Sequence, residues 1–253
     1  MADTAQAALA ARGVSKSFSG FLALDNLSME IARGTIHAVI GPNGAGKSTF
    51  LGVLSGFVKP TSGSVLFNDR DITGLAPSDV AQLGIVRSFQ INSIFPHMTA
   101  LDNVKVALQA RTHLSRRILA SRSVTAVLDD PARAALSVAG LDNERDTLAG
   151  TLPYGKKRAL ELAIAISQEP AVLLLDEPTA GMGSEDIEPT IALISKVRDG
   201  RTVVLVEHNL RVVEHLCDCV TVLERGTVLT EGTYAEVRND PRVVDAYLGG
   251  AKK

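Results

Sequence analysis

The sequence predicts an α/β fold with a mainly parallel sheet, an N-terminal antiparallel β lobe and an inserted helical lobe. Residues 36–40, 172–175 and 202–206 are almost continuously apolar, as expected for strands that are covered on both faces. Residues 157–167 and 187–197 carry apolar side chains at helical spacing. Strands that alternate with helices are typical of a parallel sheet with helices on its faces.

The two lobes are predicted from the stretches that depart from this alternation. Before residue 36 the chain reads as short strands and turns, and residues 64–67 resemble another hairpin strand. Residues 91–150 lack strand patterns, whereas residues 101–109 and 131–139 have helical ones.

We therefore expect one domain, residues 1–253, that is built around an insertion. Residues 12–90 and 160–248 would form the core with the β lobe, and residues 91–159 would form the helical lobe. Near the C-terminus we predict a hairpin at residues 220–229 and a helix at residues 241–248.

The composition is that of a folded globular chain. Of its 253 residues, 45% are hydrophobic and 21% are charged, so it can bury a large core. Lys and Arg total 26 and Asp and Glu total 28, which gives a net charge of −2. Because there is no basic excess to hold a phosphate backbone, we expect no nucleic-acid partner.

Several absences in the sequence favour a cytoplasmic location. Residues 1–12 lack the basic-then-apolar pattern of a secretory signal, and no apolar run reaches the roughly 20 residues of a membrane-spanning helix. The only cysteines are Cys217 and Cys219. A Cys-x-Cys pair can contribute to a metal site, but a second pair is lacking, and we interpret both as packing residues in a reducing compartment.

Residues 41–48 fit the phosphate-loop pattern G-x-x-x-x-G-K-[ST], between a predicted strand and a helical run. The glycines let backbone N–H groups surround phosphate oxygens, and the helix start adds its positive dipole end. Lys47 would neutralise the outer phosphates and Ser48 would ligate Mg²⁺. The pattern predicts a P-loop NTPase core in which the nucleotide contacts Gly41, Pro42, Asn43, Gly44, Ala45, Gly46, Lys47, Ser48 and Thr49.

Two carboxylates follow the apolar run 172–175. A parallel sheet binds ligands at the carboxyl ends of its strands, so Asp176 and Glu177 would face the phosphates. Asp176 is suited to hold Mg²⁺ through its water shell, and Glu177 to orient or deprotonate an attacking water. The alternative is a surface Asp-Glu pair that caps a helix.

Gln90 and His208 follow two further predicted strands. Gln90 would complete the Mg²⁺ ligands, with Ser48 and Asp176, or sense the γ-phosphate. His208 would be a second catalytic residue. It would donate a hydrogen bond to that phosphate and hold Glu177 in position. The alternative is that each is an ordinary turn residue with no role in nucleotide binding.

The order of these motifs resembles that of ATP-binding-cassette (ABC) ATPases. It comprises the phosphate loop, Gln90, L-P-Y-G-K-K-R at 152–158, L-D-E-P-T at 175–179 and His208. More narrowly, the sequence is similar to the ATPase subunits of branched-chain amino-acid importers. The similarity lies in the signature form L-x-Y-G-x-x-R, in Ala180-Gly181-Met182 and in the C-terminal residues 231–249.

This resemblance implies ATP hydrolysis that powers transport, with ATP and Mg²⁺ as cofactors. Two ATPase subunits, identical or different, would sandwich two ATP molecules, and Phe18 would stack on adenine. Gly155 begins a predicted helix whose free N–H groups suit the partner's γ-phosphate. The segment that completes the partner's site would be Leu152, Pro153, Tyr154, Gly155 and Lys156.

The resemblance also implies membrane permease subunits as partners and, indirectly, a periplasmic or extracellular solute-binding protein. The chain would then lie on the cytoplasmic side, peripheral to the inner face of the cell membrane. Alternatives are an ATPase for urea, amides or lipopolysaccharide, a non-transport ABC protein, and a nucleotide-dependent module that does not hydrolyse ATP.

Two residues depart from the family pattern. Pro153 replaces a small residue, commonly Ser, and has neither a hydroxyl nor a backbone N–H for a phosphate. Gly183 stands where an Asp often crosses to the partner. Residues 104–128 contain five basic and no acidic side chains, which suits a solvated face or contact with anionic groups.

Overall fold

Two β-sheets and the helices that cover them make up the computed structural model, which describes residues 6–88, 94–111 and 127–248. The strands are β1 (Ala7–Phe18), β2 (Phe21–Ala32), β3 (Ile36–Ile40), β4 (Ser62–Phe67), β5 (Arg70–Asp71), β6 (Ile85–Arg87), β7 (Val172–Asp176), β8 (Thr202–Val206), β9 (Cys219–Glu224) and β10 (Thr227–Gly232). The helices are α1 (Lys47–Leu54), α2 (Pro77–Gln82), α3 (Ala100–Arg111), α4 (Asp129–Val138), α5 (Tyr154–Ser167), α6 (Ser184–Val197), α7 (Leu210–Leu216), α8 (Tyr234–Arg238) and α9 (Pro241–Leu248).

The larger sheet has the order β10-β9-β3-β8-β7-β6. Its pairs are parallel except for β9 with β10, which form the predicted hairpin. The carboxyl ends of β3, β7 and β8 therefore lie at one edge, where Val206 is paired with both Val39 and Asp176. The segments that follow these strands are the phosphate loop, Glu177 and His208.

Every residue of β3, β7 and β8 is buried, which explains their continuous apolar sequence. Along β7, Val172 and Leu174 belong to the core on one face, and Leu173 and Leu175 belong to the core on the other. Each buried Leu or Val side chain contributes about 1.5–3 kcal/mol relative to exposure.

Helices fill both faces of this sheet. Phe50 and Leu51 of α1 share a core with Leu9 of β1, so α1 lies between the two sheets. Leu160 of α5 and Ile194 of α6 belong to the core of the opposite face.

The smaller sheet has the order β2-β1-β4-β5, with every pair antiparallel. It confirms the antiparallel β lobe expected from the sequence. The described part of residues 91–150 contains α3 and α4 and, in place of strands, a single isolated bridge between Thr99 and Leu148. The described residues contain no helix that is long and apolar enough to cross a membrane.

Candidate functional site

The phosphate loop, residues 41–46, is held against neighbouring backbone at positions where only glycine fits. Gly41 has a φ of +148°, and a Cβ there would lie 2.2 Å from the Leu223 carbonyl oxygen. Gly46 has a φ of +100°, and its Cβ would lie 2.6 Å from the Ala23 carbonyl oxygen. Gly46 also caps α1, because its carbonyl accepts from the Phe50 N–H at 2.8 Å. The loop is thus fixed at both ends by β9 and β2.

Lys47, the first residue of α1, points its ammonium group back across this loop. The side chain is buried, and its Nζ donates to the carbonyl oxygens of Gly41 at 2.8 Å and Pro42 at 3.0 Å. Burial lowers the pKa of Lys47, whereas the charges of Glu177 and Asp176 act in the opposite direction. The ammonium group therefore lies within electrostatic reach of both acids.

Asp176 ends β7 and is held by an arginine from the neighbouring strand. Arg87 Nη2 donates to Asp176 Oδ2 at 2.6 Å, and both side chains are largely buried. One hydrogen bond leaves the carboxylate with further acceptor positions, with which Asp176 would reach Mg²⁺ or its water shell. Ser48 and Asp176 supply oxygen donors, which Mg²⁺ prefers. The residues therefore fit the ion.

Glu177 and His208 come together as predicted. Glu177 has a φ of +49°, and its backbone N–H donates to the Val206 carbonyl at 2.8 Å. His208 Nε2 lies 2.7 Å from Glu177 Oε1. Both side chains are partly exposed and face one cavity of about 250 Å³. The wall of this cavity is made by Phe21, Ala23, Asn43, Gly44, Ala45, Gly46, Lys47, Ser48, Thr49, Glu177 and His208.

Glu207 is a residue of the site that the sequence reasoning missed. The residue is 2% exposed. Oε1 accepts from the Thr179 N–H at 3.0 Å and the Thr179 hydroxyl at 2.5 Å, while Oε2 accepts from the N–H groups of His208 at 2.9 Å and Asn209 at 3.0 Å. This carboxylate ties the loop after β7 to the loop after β8. It therefore fixes the backbone on which Glu177 and His208 are carried.

The predicted signature segment, residues 152–156, lies at the start of α5. Leu152 is buried, Pro153 occupies the N-cap position and Lys156 forms an ion pair with Glu144. A Cβ on Gly155 would lie 2.7 Å from Asp186 Oδ1, so a larger residue would displace that carboxylate.

Tyr154 links this helix start to the loop after the acidic pair. Its hydroxyl donates to the Ala180 carbonyl at 2.5 Å and accepts from Arg158 Nη2 at 3.3 Å. Arg158 is itself paired with Glu161 at 2.9 Å. The signature segment and the Glu177 loop are therefore in direct contact within one chain.

The aromatic residue on the cavity wall is Phe21, which pairs with Phe18 across the β1–β2 turn. Phe18 is 45% exposed, and the Lys16 ammonium lies 4.8 Å from its ring centroid. Stacking of Phe18 on adenine stays a prediction. Gln90 lies outside the described residues.

Comparison with known families decides the assignment. The family described as "ABC transporter" matches residues 24–180, and the family described as "Branched-chain amino acid ATP-binding cassette transporter" matches residues 227–253. This chain belongs to the ABC transporter family. As a member of that family it binds ATP, and it is an ATPase.

Full-length relatives support the same assignment of this ABC ATPase. It is 38% identical to the high-affinity branched-chain amino acid transport ATP-binding protein LivG of Salmonella typhimurium, over 97% of this chain and 99% of that protein. It is 36% identical to the corresponding protein BraF of Pseudomonas aeruginosa, over 94% of this chain and 96% of that protein.

Solved ABC cassettes share the fold. A nucleotide-free ATP-binding cassette from an ABC transporter has a TM-score of 0.84 and 28% identity, covering 95% of this chain and 98% of that one. A dimeric cassette in a post-hydrolysis state with ADP and Pi has a TM-score of 0.75 and 26% identity, covering 89% and 98%. The α/β fold predicted from the sequence is confirmed.

We expect Glu207→Gln to slow ATP hydrolysis more than it weakens ATP binding. The amide presents a donor to N–H groups that need an acceptor, so the loops after β7 and β8 lose their shared anchor and the free energy of unfolding falls by about 2 kcal/mol. Single-turnover hydrolysis and nucleotide titration separate the two effects. Glu214→Gln, an exposed residue of α7, is the control; equal hydrolysis by both variants would contradict the positioning role.

Proposed function

We propose that this ATPase powers an importer for branched-chain or related amino acids. The observation that carries the proposal is the full-length similarity to LivG and BraF, together with the match of residues 227–253 to the C-terminal family of branched-chain amino acid cassettes. The transported solute does not contact this chain. Its identity therefore depends on the subunits with which the chain assembles.

ATP binding rests on the phosphate loop and the start of α1. The backbone N–H groups at the start of α1 and the positive end of the helix dipole would attract the phosphates, and the Lys47 ammonium would neutralise the outer ones. Ser48, Asp176 and Gln90 would hold Mg²⁺, which neutralises charge on the β- and γ-phosphates. Arg87 limits the positions that the Asp176 carboxylate adopts.

Hydrolysis rests on Glu177 and His208. Glu177 orients a water molecule towards the γ-phosphate and accepts its proton, while His208 donates to Glu177 or to the phosphate as the proton moves. Their separation of 2.7 Å places both groups within hydrogen-bonding distance of one another. Glu207 stabilises this geometry because its carboxylate accepts hydrogen bonds from the loop after β7 and from the loop after β8.

The start of α5 supports assembly with a second ATPase subunit. The free N–H groups at the beginning of α5 suit the γ-phosphate held by a second ATPase subunit, identical or different. Membrane permease subunits and, through them, a solute-binding protein outside the membrane would complete the importer. This chain would lie at the cytoplasmic face of the membrane.

Lys47→Ala and Glu177→Gln should separate binding from hydrolysis. Loss of the ammonium group is expected to weaken ATP binding roughly 10- to 100-fold. Loss of the Glu177 carboxylate should leave binding intact, lower hydrolysis about 100-fold or more and trap ATP-bound dimers. Nucleotide titration, phosphate release and size-exclusion chromatography measure these changes. Lys196→Ala, an exposed residue of α6, is the control; unchanged hydrolysis in Glu177→Gln would contradict its role.

Pro153→Ser should lower the ATP concentration needed for dimerisation and for half-maximal turnover by roughly two- to tenfold. The change restores a hydroxyl and a backbone N–H to the start of α5, each worth about one hydrogen bond. Pro131→Ser, at an exposed proline in the first turn of α4, is the matched control. No difference between the two variants would mean that Pro153 does not limit capture of the γ-phosphate.

The solute assignment is tested with the assembled importer. After co-purification with its permease and solute-binding subunits and reconstitution in vesicles, the complex should take up leucine, isoleucine or valine in an ATP-dependent manner. The Glu177→Gln complex should not. Stimulation of hydrolysis by urea, amides or lipopolysaccharide alone would replace the amino-acid assignment and leave the ATPase assignment intact.

A further inference from the structure

A second group of polar side chains lies on β3, β9 and β10, outside the nucleotide cavity. It consists of His37, Cys219 and Glu231, with one nitrogen, one sulfur and one oxygen atom all within 4.8 Å of one another. His37 is directly paired with Cys219, and Glu231 with Thr221, in the register of the sheet. Neighbouring strands therefore fix the backbone of all three side chains.

The imidazole of His37 is a polar group within an otherwise apolar buried strand. Its side chain is 2% exposed, and its Nε2 lies 2.7 Å from the Thr221 hydroxyl. That hydroxyl donates to Glu231 Oε2 at 2.6 Å. Thr221 thus bridges a buried nitrogen to a carboxylate that is 42% exposed, which gives the cluster a path to solvent.

The three donors are an imidazole, a thiol and a carboxylate, which is a set that suits Zn²⁺ and not Mg²⁺. Zn²⁺ bonds of about 2.0–2.3 Å in a tetrahedron place neighbouring donor atoms about 3–4 Å apart. His37 Nε2 and Glu231 Oε2 are separated by 4.0 Å. The donors would have to approach one another, and the Thr221 hydroxyl that bridges His37 and Glu231 would have to move aside or become a ligand itself.

The hydrogen bonds of the cluster show which protons coordination would release. The Thr221 hydroxyl has one proton and donates it to Glu231, so His37 Nε2 carries the proton of its hydrogen bond to Thr221. A Zn²⁺ ion bound through His37 Nε2 and Cys219 would release the thiol proton to water and shift the imidazole proton to Nδ1.

We propose that His37, Cys219 and Glu231 bind one Zn²⁺ ion, with water or the Thr221 hydroxyl in the fourth position. The ion would cross-link β3 to β9 and β10. β3 leads directly into the phosphate loop, and β9 supplies the Leu223 carbonyl against which Gly41 packs. The site thus stiffens the strands that support the loop, whichever solute the transporter moves.

The test uses the full, tag-free chain without nucleotide, after metal removal with a chelator. Calorimetric titration with Zn²⁺ should give one site per chain, and Co²⁺ should give a thiolate-to-metal charge-transfer band. Cys219→Ser should weaken Zn²⁺ binding by about tenfold or more and abolish the band. Cys217→Ser, which changes the neighbouring cysteine outside the cluster, should leave both unchanged.

Glu231→Gln provides a second variant at a partly exposed position, so the result does not depend on replacing the buried His37. It should weaken Zn²⁺ binding while the Co²⁺ band, which reports the Cys219 thiolate, is retained at saturating metal. Thermal unfolding should shift upward with Zn²⁺ in the unaltered chain and in the Cys217→Ser chain, and by less in the Cys219→Ser and Glu231→Gln chains. Failure to bind one Zn²⁺, or equal binding by the Cys217→Ser and Cys219→Ser chains, would overturn the proposal.

Discussion

The alignment of three buried parallel strands is the constraint on which the site depends. β3, β7 and β8 end at one edge of the sheet, where the register pairs Val206 with Val39 and with Asp176. Alternate residues of β7 and β8 belong to different cores on the two faces. A shift by one residue would move each side chain to the other face, so core packing and the relative position of the catalytic loops are determined together.

The sequence predicted the parts of the fold that leave a local pattern. Residues 36–40 and 202–206 form β3 and β8 with the predicted bounds, and the run 172–175 extends by one residue to include Asp176. The short helix α7, however, has too few residues for a clear periodicity. The position of β9 beside β3 arises from pairing between residues distant in the chain, which no local pattern contains.

A similar division applies to the site. The phosphate-loop pattern located Lys47, and the expectation that polar residues follow parallel strands brought together Glu177 and His208. The same reasoning passed over the adjacent Glu207, because the contact that reveals its role joins its carboxylate to the N–H and hydroxyl groups of Thr179, 28 residues earlier in the chain. Arg87 was missed for the same reason, since its partner Asp176 lies 89 residues away.

The hydroxyl of Tyr154 contacts the Ala180 carbonyl at 2.5 Å and so joins two segments that would serve different ATP molecules in a dimer. The start of α5 would face the nucleotide of the opposite subunit, whereas Ala180 follows Glu177 of the same subunit. In such a dimer, a displacement of the α5 start by the nucleotide of the opposite subunit would therefore be transmitted through this hydrogen bond to the loop that follows Glu177.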